Sequence, residues 1–187
     1  MNCTGSRFAT LLILVVQLVG CVMYPTSRVF YEPTASEGTL RNQTACGYLH
    51  TRDTVERTLG DVRIAVTVGA AKVPDNRQPT VEVVVEVEGP TTDSVNLRTE
   101  RVLLVLAAPL ATLHPSDLSS VSGQGSSSNR QFVRWKLTYP DPAGLSDKVE
   151  VSFEPGALFV HGRAIDVGPL HFNRVKRSDV YFGSINC

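Results

Sequence analysis

Between Thr80 and Glu88, valine occupies every second position: Val81, Val83, Val85 and Val87 fall on one side, while Glu82, Glu86 and Glu88 fall on the other with Val84. A β-strand turns successive side chains to opposite faces, so this spacing makes one apolar face and one charged face. A helix, with its 3.6-residue period, would scatter the same valines around its axis. The segment therefore calls for a sheet with an apolar layer packed against it and water on its other side. The pattern recurs along the chain. Val62, Ile64, Val66 and Val68 share a face; Val133, Trp135, Leu137 and Tyr139 oppose Phe132, Arg134, Lys136 and Thr138; Val149, Val151 and Phe153 alternate with Glu150, Ser152 and Glu154. Val102-Leu103-Leu104-Val105-Leu106 is continuously apolar, which predicts a strand covered on both faces. Shorter runs follow at 157–161, 163–167, 170–175 and 180–185.

Turn-forming residues punctuate these runs, at Pro74-Asp75-Asn76, Gly89-Pro90, Pro140-Asp141-Pro142-Ala143-Gly144, Pro155-Gly156 and Gly168-Pro169. Seven to nine strands with closely spaced turns predict an all-β fold. The expected form is a single antiparallel β-sandwich, Ig-like, with Trp135 as a core residue; a barrel is the alternative. Thr51 to Leu59 could form one or two helical turns. Residues 107–129 lack periodicity and end in Gly123-Gln124-Gly125-Ser126-Ser127-Ser128-Asn129, a composition expected of a flexible surface loop.

The amino terminus has a different character. Met1 to Arg7 is polar with one positive charge, Phe8 to Leu18 is apolar apart from Thr10 and Gln17, and Leu18-Val19-Gly20-Cys21 follows. This is the layout of a secretory signal peptide over residues 1–20, and its apolar run is short for a bilayer span, which takes roughly 20 residues. An uncleaved anchor and plain secretion are the alternatives. Leu18-Val19-Gly20-Cys21 resembles the lipobox of bacterial membrane lipoproteins. The resemblance covers these 21 residues and implies a diacylglyceryl group on the Cys21 sulfur, cleavage just before that residue, and acylation of the new amine. The chemistry needs a thiolate nucleophile. More than one acyl chain matters because a single chain holds only weakly. Val22, where aspartate often marks inner-membrane retention, points to an outer-membrane lipoprotein facing the periplasm. Residues 21–42, with Pro25, Pro33 and Gly38, then read as the lipidated cysteine and an extended tether, and residues 43–187 as the domain.

Of the four cysteines, Cys3 leaves with the signal peptide and Cys21 is lipidated, so Cys46 and Cys187 remain for one disulfide in an oxidising compartment. Two buried thiols, or an exposed terminal thiol, are the alternatives. The chain carries 18 Lys+Arg and 18 Asp+Glu; losing residues 1–20 removes Arg7 alone and leaves 17 − 18 = −1. A neutral surface argues against nucleic acid as a partner, since phosphate binding needs a basic face.

The sequence assigns no catalytic, cofactor-binding or metal-binding residue. His161 and His171, with Asp166 between them, could meet on adjacent strands and bind a metal, though ordinary surface histidines are the plainer expectation. Arg134, Lys136 and Phe132 could form a cationic and aromatic binding face; a solvated face meeting the acids of the Val81 segment is preferred. Tyr181-Phe182 reads as packing. The functional expectation is a non-enzymatic, lipid-anchored envelope protein in protein binding or a structural role. The alternatives are a secreted or periplasmic ligand- or metal-binding module, and an enzyme with a site assembled from scattered residues. Asn42-Gln43-Thr44 would be a glycosylation sequon only in a eukaryotic host.

Overall fold

A computed structural model describes residues 21–42, 47–70, 79–91, 95–125, 127, 129–140 and 146–184. Cys46, Cys187 and the signal segment lie outside these residues, so the expected disulfide falls outside them too. The protein forms two compact units: Val29–Gln43 with Arg52–Lys176, and a smaller one drawn from Met1–Arg28, Thr44–Thr51 and Arg177–Cys187.

Fourteen strands make up almost everything described: β1 (Cys21–Pro33), β2 (Thr39–Arg41), β3 (Thr54–Leu59), β4 (Val62–Ala70), β5 (Thr80–Gly89), β6 (Val95–Leu97), β7 (Val102–Ala107), β8 (Leu110–Leu113), β9 (Asp117–Gln124), β10 (Gln131–Pro140), β11 (Lys148–Phe153), β12 (Leu158–Val160), β13 (Arg163–Ile165) and β14 (Leu170–Ser184). A five-stranded sheet runs β1-β14-β11-β7-β8 and a six-stranded sheet β2-β3-β4-β5-β10-β9; β13-β12-β6 form a small third sheet. Neither large sheet closes on itself, so the fold is an antiparallel β-sandwich rather than a barrel.

The valine alternation does what its spacing requires. Val81, Val83, Val85 and Val87 are fully buried, and they join Val66, Leu137 and Tyr139 of their own sheet to Val102, Leu104, Val151 and Phe172 of the other in one core. Trp135 lies in that core. The Tyr139 hydroxyl crosses the core to donate to the Val102 carbonyl at 2.7 Å, and the Tyr31 hydroxyl donates to the Ser146 carbonyl at 2.8 Å. Burial pushes the Tyr139 phenol pKa well above its usual value, because the phenolate would lose its water.

Four expectations change. Thr51–Leu59 holds no helix: Thr54–Leu59 is β3, with Val55 in the core, and its β-branched residues suit the strand that burial demands. β7 is covered on one face only, since Leu103 and Val105 between its buried residues stay half-exposed. Residues 21–42 are extended but not a free tether; Phe30 and Tyr31 are buried, and β2 pairs with β3. Most of residues 107–124 are strand rather than loop. They supply β8, which pairs with β7, and β9, which pairs with β10 along its whole length. All eight β9 residues are exposed, so backbone pairing holds the strand without any apolar period to announce it.

Candidate functional site

Four parts of the surface carry polar chemistry, and each is set by strand register. On the outer face of the six-stranded sheet, β10 lies against β5 with Arg134 opposite Glu86 and Phe132 opposite Glu88, and β4 on the other side brings Arg63 opposite Glu88. The charges pair accordingly. Arg134 reaches Glu86 at 2.5 Å and Lys136 reaches Glu82 at 2.6 Å. Arg41 of β2 meets Glu56 at 3.0 Å and Glu86 at 3.3 Å. At the end of the ladder the Glu88 carboxylate, 2% exposed, lies between Arg63 and the Arg130 Nε at 3.2 Å. Arg130 also donates to the Glu88 and Asp61 carbonyls, at 2.9 and 3.2 Å. Gly125 packs closely beside this group: a Cβ there would sit 2.8 Å from a Glu88 carboxylate oxygen and 3.0 Å from the Arg130 Cβ. Arg134 and Lys136 thus lie on a solvated face neutralised by the acids of β5, as expected, with the Arg134 guanidinium 5.3 Å from the Phe132 ring centre.

The second surface is a groove of about 460 Å³ on the outside of the five-stranded sheet, lined by Val105, Leu110, Glu150, His171 and Asn173 among others. The His171 Nδ1 lies 2.6 Å from one Glu37 oxygen, its Nε2 lies 3.3 Å from Glu150, and its backbone amide donates to the other Glu37 oxygen at 2.7 Å. Glu37 is placed by a 3-10 turn at Ala35–Glu37, whose carbonyl accepts from Arg57 of β3. Gly38 lets the chain leave that turn against β3; a Cβ there would come within 2.5 Å of the Glu56 carbonyl oxygen. The two carboxylates take opposite ring nitrogens, so they do not converge on one point.

The third is a cleft of about 640 Å³ between the β3–β4 and β12–β13 hairpins, lined by Asp61, His161, Arg163 and Asp166 among others. His161 and Gly162 make the two-residue turn of β12–β13 with φ of 51° and 73°, the left-handed pair that such hairpins need. The His161 Nε2 lies 3.8 Å from Asp61. His161 and His171 therefore serve different surfaces, and among the described residues no group of three His, Cys, Asp or Glu is arranged to hold a metal ion.

The fourth surface belongs to the smaller unit. Tyr181 packs against Tyr24 and Tyr48 with ring centres 5.1 and 5.3 Å apart, and Arg28 lies 4.2 Å over the Tyr48 ring, so Tyr181 is a packing residue as expected. Met23, Tyr24 and Leu49 are exposed. Asp179, which sequence reasoning missed, is buried and accepts from the Thr51 hydroxyl at 2.6 Å and from the His50 and Val180 amides at 2.8 and 2.7 Å. Burial pushes its pKa up, but these hydrogen bonds, with a smaller contribution from the His50 charge, outweigh that and hold it below the usual carboxylate value.

The architecture defines a β-sandwich with a charge-paired sheet face and open edges. No protein-family model matches the chain, and no curated protein and no solved structure matches it.

Proposed function

We propose that the mature chain is a bacterial envelope lipoprotein, held in the outer membrane facing the periplasm by a diacylglyceryl Cys21, and that its sandwich is a non-enzymatic module for protein binding or a structural role. The observation that carries this reading is Leu18-Val19-Gly20-Cys21, whose cysteine is the first residue of β1. Exposed Met23 and Tyr24, two and three residues after the cysteine, support it, because apolar and tyrosine side chains suit the boundary between lipid and water. Cys46 and Cys187 form the one disulfide in this reading. Exposed Leu110, Leu118 and Val121 on strands at the sheet edges support a binding role.

The test is incorporation of labelled fatty acid in a bacterial host, with intact mass measured before and after reduction. The expected result is a labelled chain beginning at Cys21 that gains two hydrogens on reduction, with label lost in Cys21→Ser. An unlabelled chain with a different first residue overturns it. The groove beside His171 favours a second reading, a soluble ligand- or metal-binding module, and a rise in melting temperature with one small molecule or divalent ion would select it.

A further inference from the structure

Sheet edges are sites of unwanted pairing, and proteins blunt them with short strands, prolines and charges. Three of the four outer edges of the two large sheets follow this rule. β2 has three residues and ends in Arg41, β8 has four, and β1 contains Pro25, Arg28, Glu32 and Pro33. β9 breaks it. It has eight residues, no proline, no Lys or Arg, and one charge, Asp117, at its first position.

The direction of its free backbone groups can be worked out. The Gly125 amide donates to the Arg130 carbonyl at 2.8 Å, in register with the Gln124–Gln131 pairing. Hydrogen-bonded and non-bonded pairs alternate along an antiparallel ladder, so the amides and carbonyls of Gln124, Ser122, Ser120 and Leu118 point away from β10. The Leu118 amide agrees, since it donates to the Asp117 carboxylate at 2.8 Å rather than to the ladder. Three outward amides remain, on Ser120, Ser122 and Gln124, symmetric about Ser122. Among the described residues no strand takes this edge.

We propose that the occupant is a second copy of this chain, with the two β9 strands antiparallel across a two-fold axis at Ser122, joining both six-stranded sheets into one. Ser122 then pairs with its own copy and Ser120 with the copy's Gln124, which satisfies all three outward amides. Val121, 53% exposed, falls opposite the copy's Gly123. The space where Gly123 would carry a Cβ is bordered by the Phe132 ring at 3.0 Å, so each valine meets a ring edge instead of water. Charge permits the pairing. The two Asp117 carboxylates lie at opposite ends of the seam, and the cations beside β9 on β10, Arg134 and Lys136, are already paired with Glu86 and Glu82 respectively. A two-fold contact closes on itself, so assembly stops at the dimer.

The test is Ser122→Cys in the full chain, treated with a short bis-maleimide in membranes and after purification, with exposed Thr58→Cys and the unmodified chain as controls. A product of twice the monomer mass is expected from Ser122→Cys alone. Ser120→Pro should abolish it while leaving the β-sheet circular dichroism unchanged, because proline there removes only an outward amide. A monomeric Ser122→Cys with intact dichroism overturns the proposal, as does a product that survives Ser120→Pro. An adduct with a different protein also overturns it and assigns the edge to a foreign strand.

Discussion

Replacing Glu88 with glutamine keeps the shape of the side chain and removes the negative charge that Arg63 and Arg130 share. Breaking a buried ion pair costs about 3–5 kcal/mol when the survivor is left without compensation. Here the survivors are 25% and 30% exposed, Arg63 keeps Glu56 at 3.6 Å, and Arg130 keeps two carbonyls. Water and these partners reduce the penalty to about 2–3 kcal/mol. In urea unfolding, with a slope of about 2 kcal/mol per molar, the midpoint should fall by about 1–1.5 M at constant slope. Arg130→Met alone should also destabilise the protein, and combining it with Glu88→Gln should cost less than the two losses added, because the second change removes a cation the first has stranded. A Glu88→Gln midpoint within about 0.3 M of the parent, or strictly additive losses, would refute the view that this carboxylate holds the two arginines together.

Tyr139→Phe should lower stability by about 1–2 kcal/mol by stranding the Val102 carbonyl. The phenol is held neutral in the fold and ionises at about 10 when unfolded, so its contribution is complete below that pH and declines above it; the phenylalanine variant should lose that alkaline decline in urea midpoints. Asp179 has a lowered folded pKa, so its contribution is present above about pH 4 and is lost as pH falls through the folded value. Asp179→Asn should flatten the stability–pH curve on that acid side and speed amide hydrogen exchange at His50. At the β12–β13 turn, His161→Asn should be tolerated, whereas His161→Val should cost about 1–2 kcal/mol in thermal unfolding, since a branched side chain resists positive φ.

What the sequence revealed depended on whether burial left a periodic trace. β4, β5, β10 and β11 were legible because each alternates a buried apolar row with a polar one, and even the pairing of Arg134 and Lys136 with the β5 acids could be anticipated from shared faces. β9 was not legible. Its residues are serine, glycine, glutamine and aspartate with two isolated apolar side chains, and its strand state comes from hydrogen bonds to β10, which leave no mark on composition. β3 was hidden for a related reason: Arg57 and Glu56 are recruited by partners distant in sequence, so their polarity resembled a short amphipathic helix. Glu37, His171 and Glu150 come from positions 37, 150 and 171, and Asp179 meets Thr51 across 128 positions, so neither grouping has a local spacing that could reveal it.

The row Val81, Val83, Val85, Val87 has one further consequence. A row of one repeated residue discriminates poorly between alignments two residues apart, because all but the end valine would land where a valine had been. The outward row is not repetitive: Val84 interrupts the acids, and only Glu88 among them lies between two arginines on opposite sides, Arg63 of β4 and Arg130 just ahead of β10. The apolar side of β5 therefore supplies cohesion without an address, and the instructions for aligning β4 and β10 against it are written on the side that faces water.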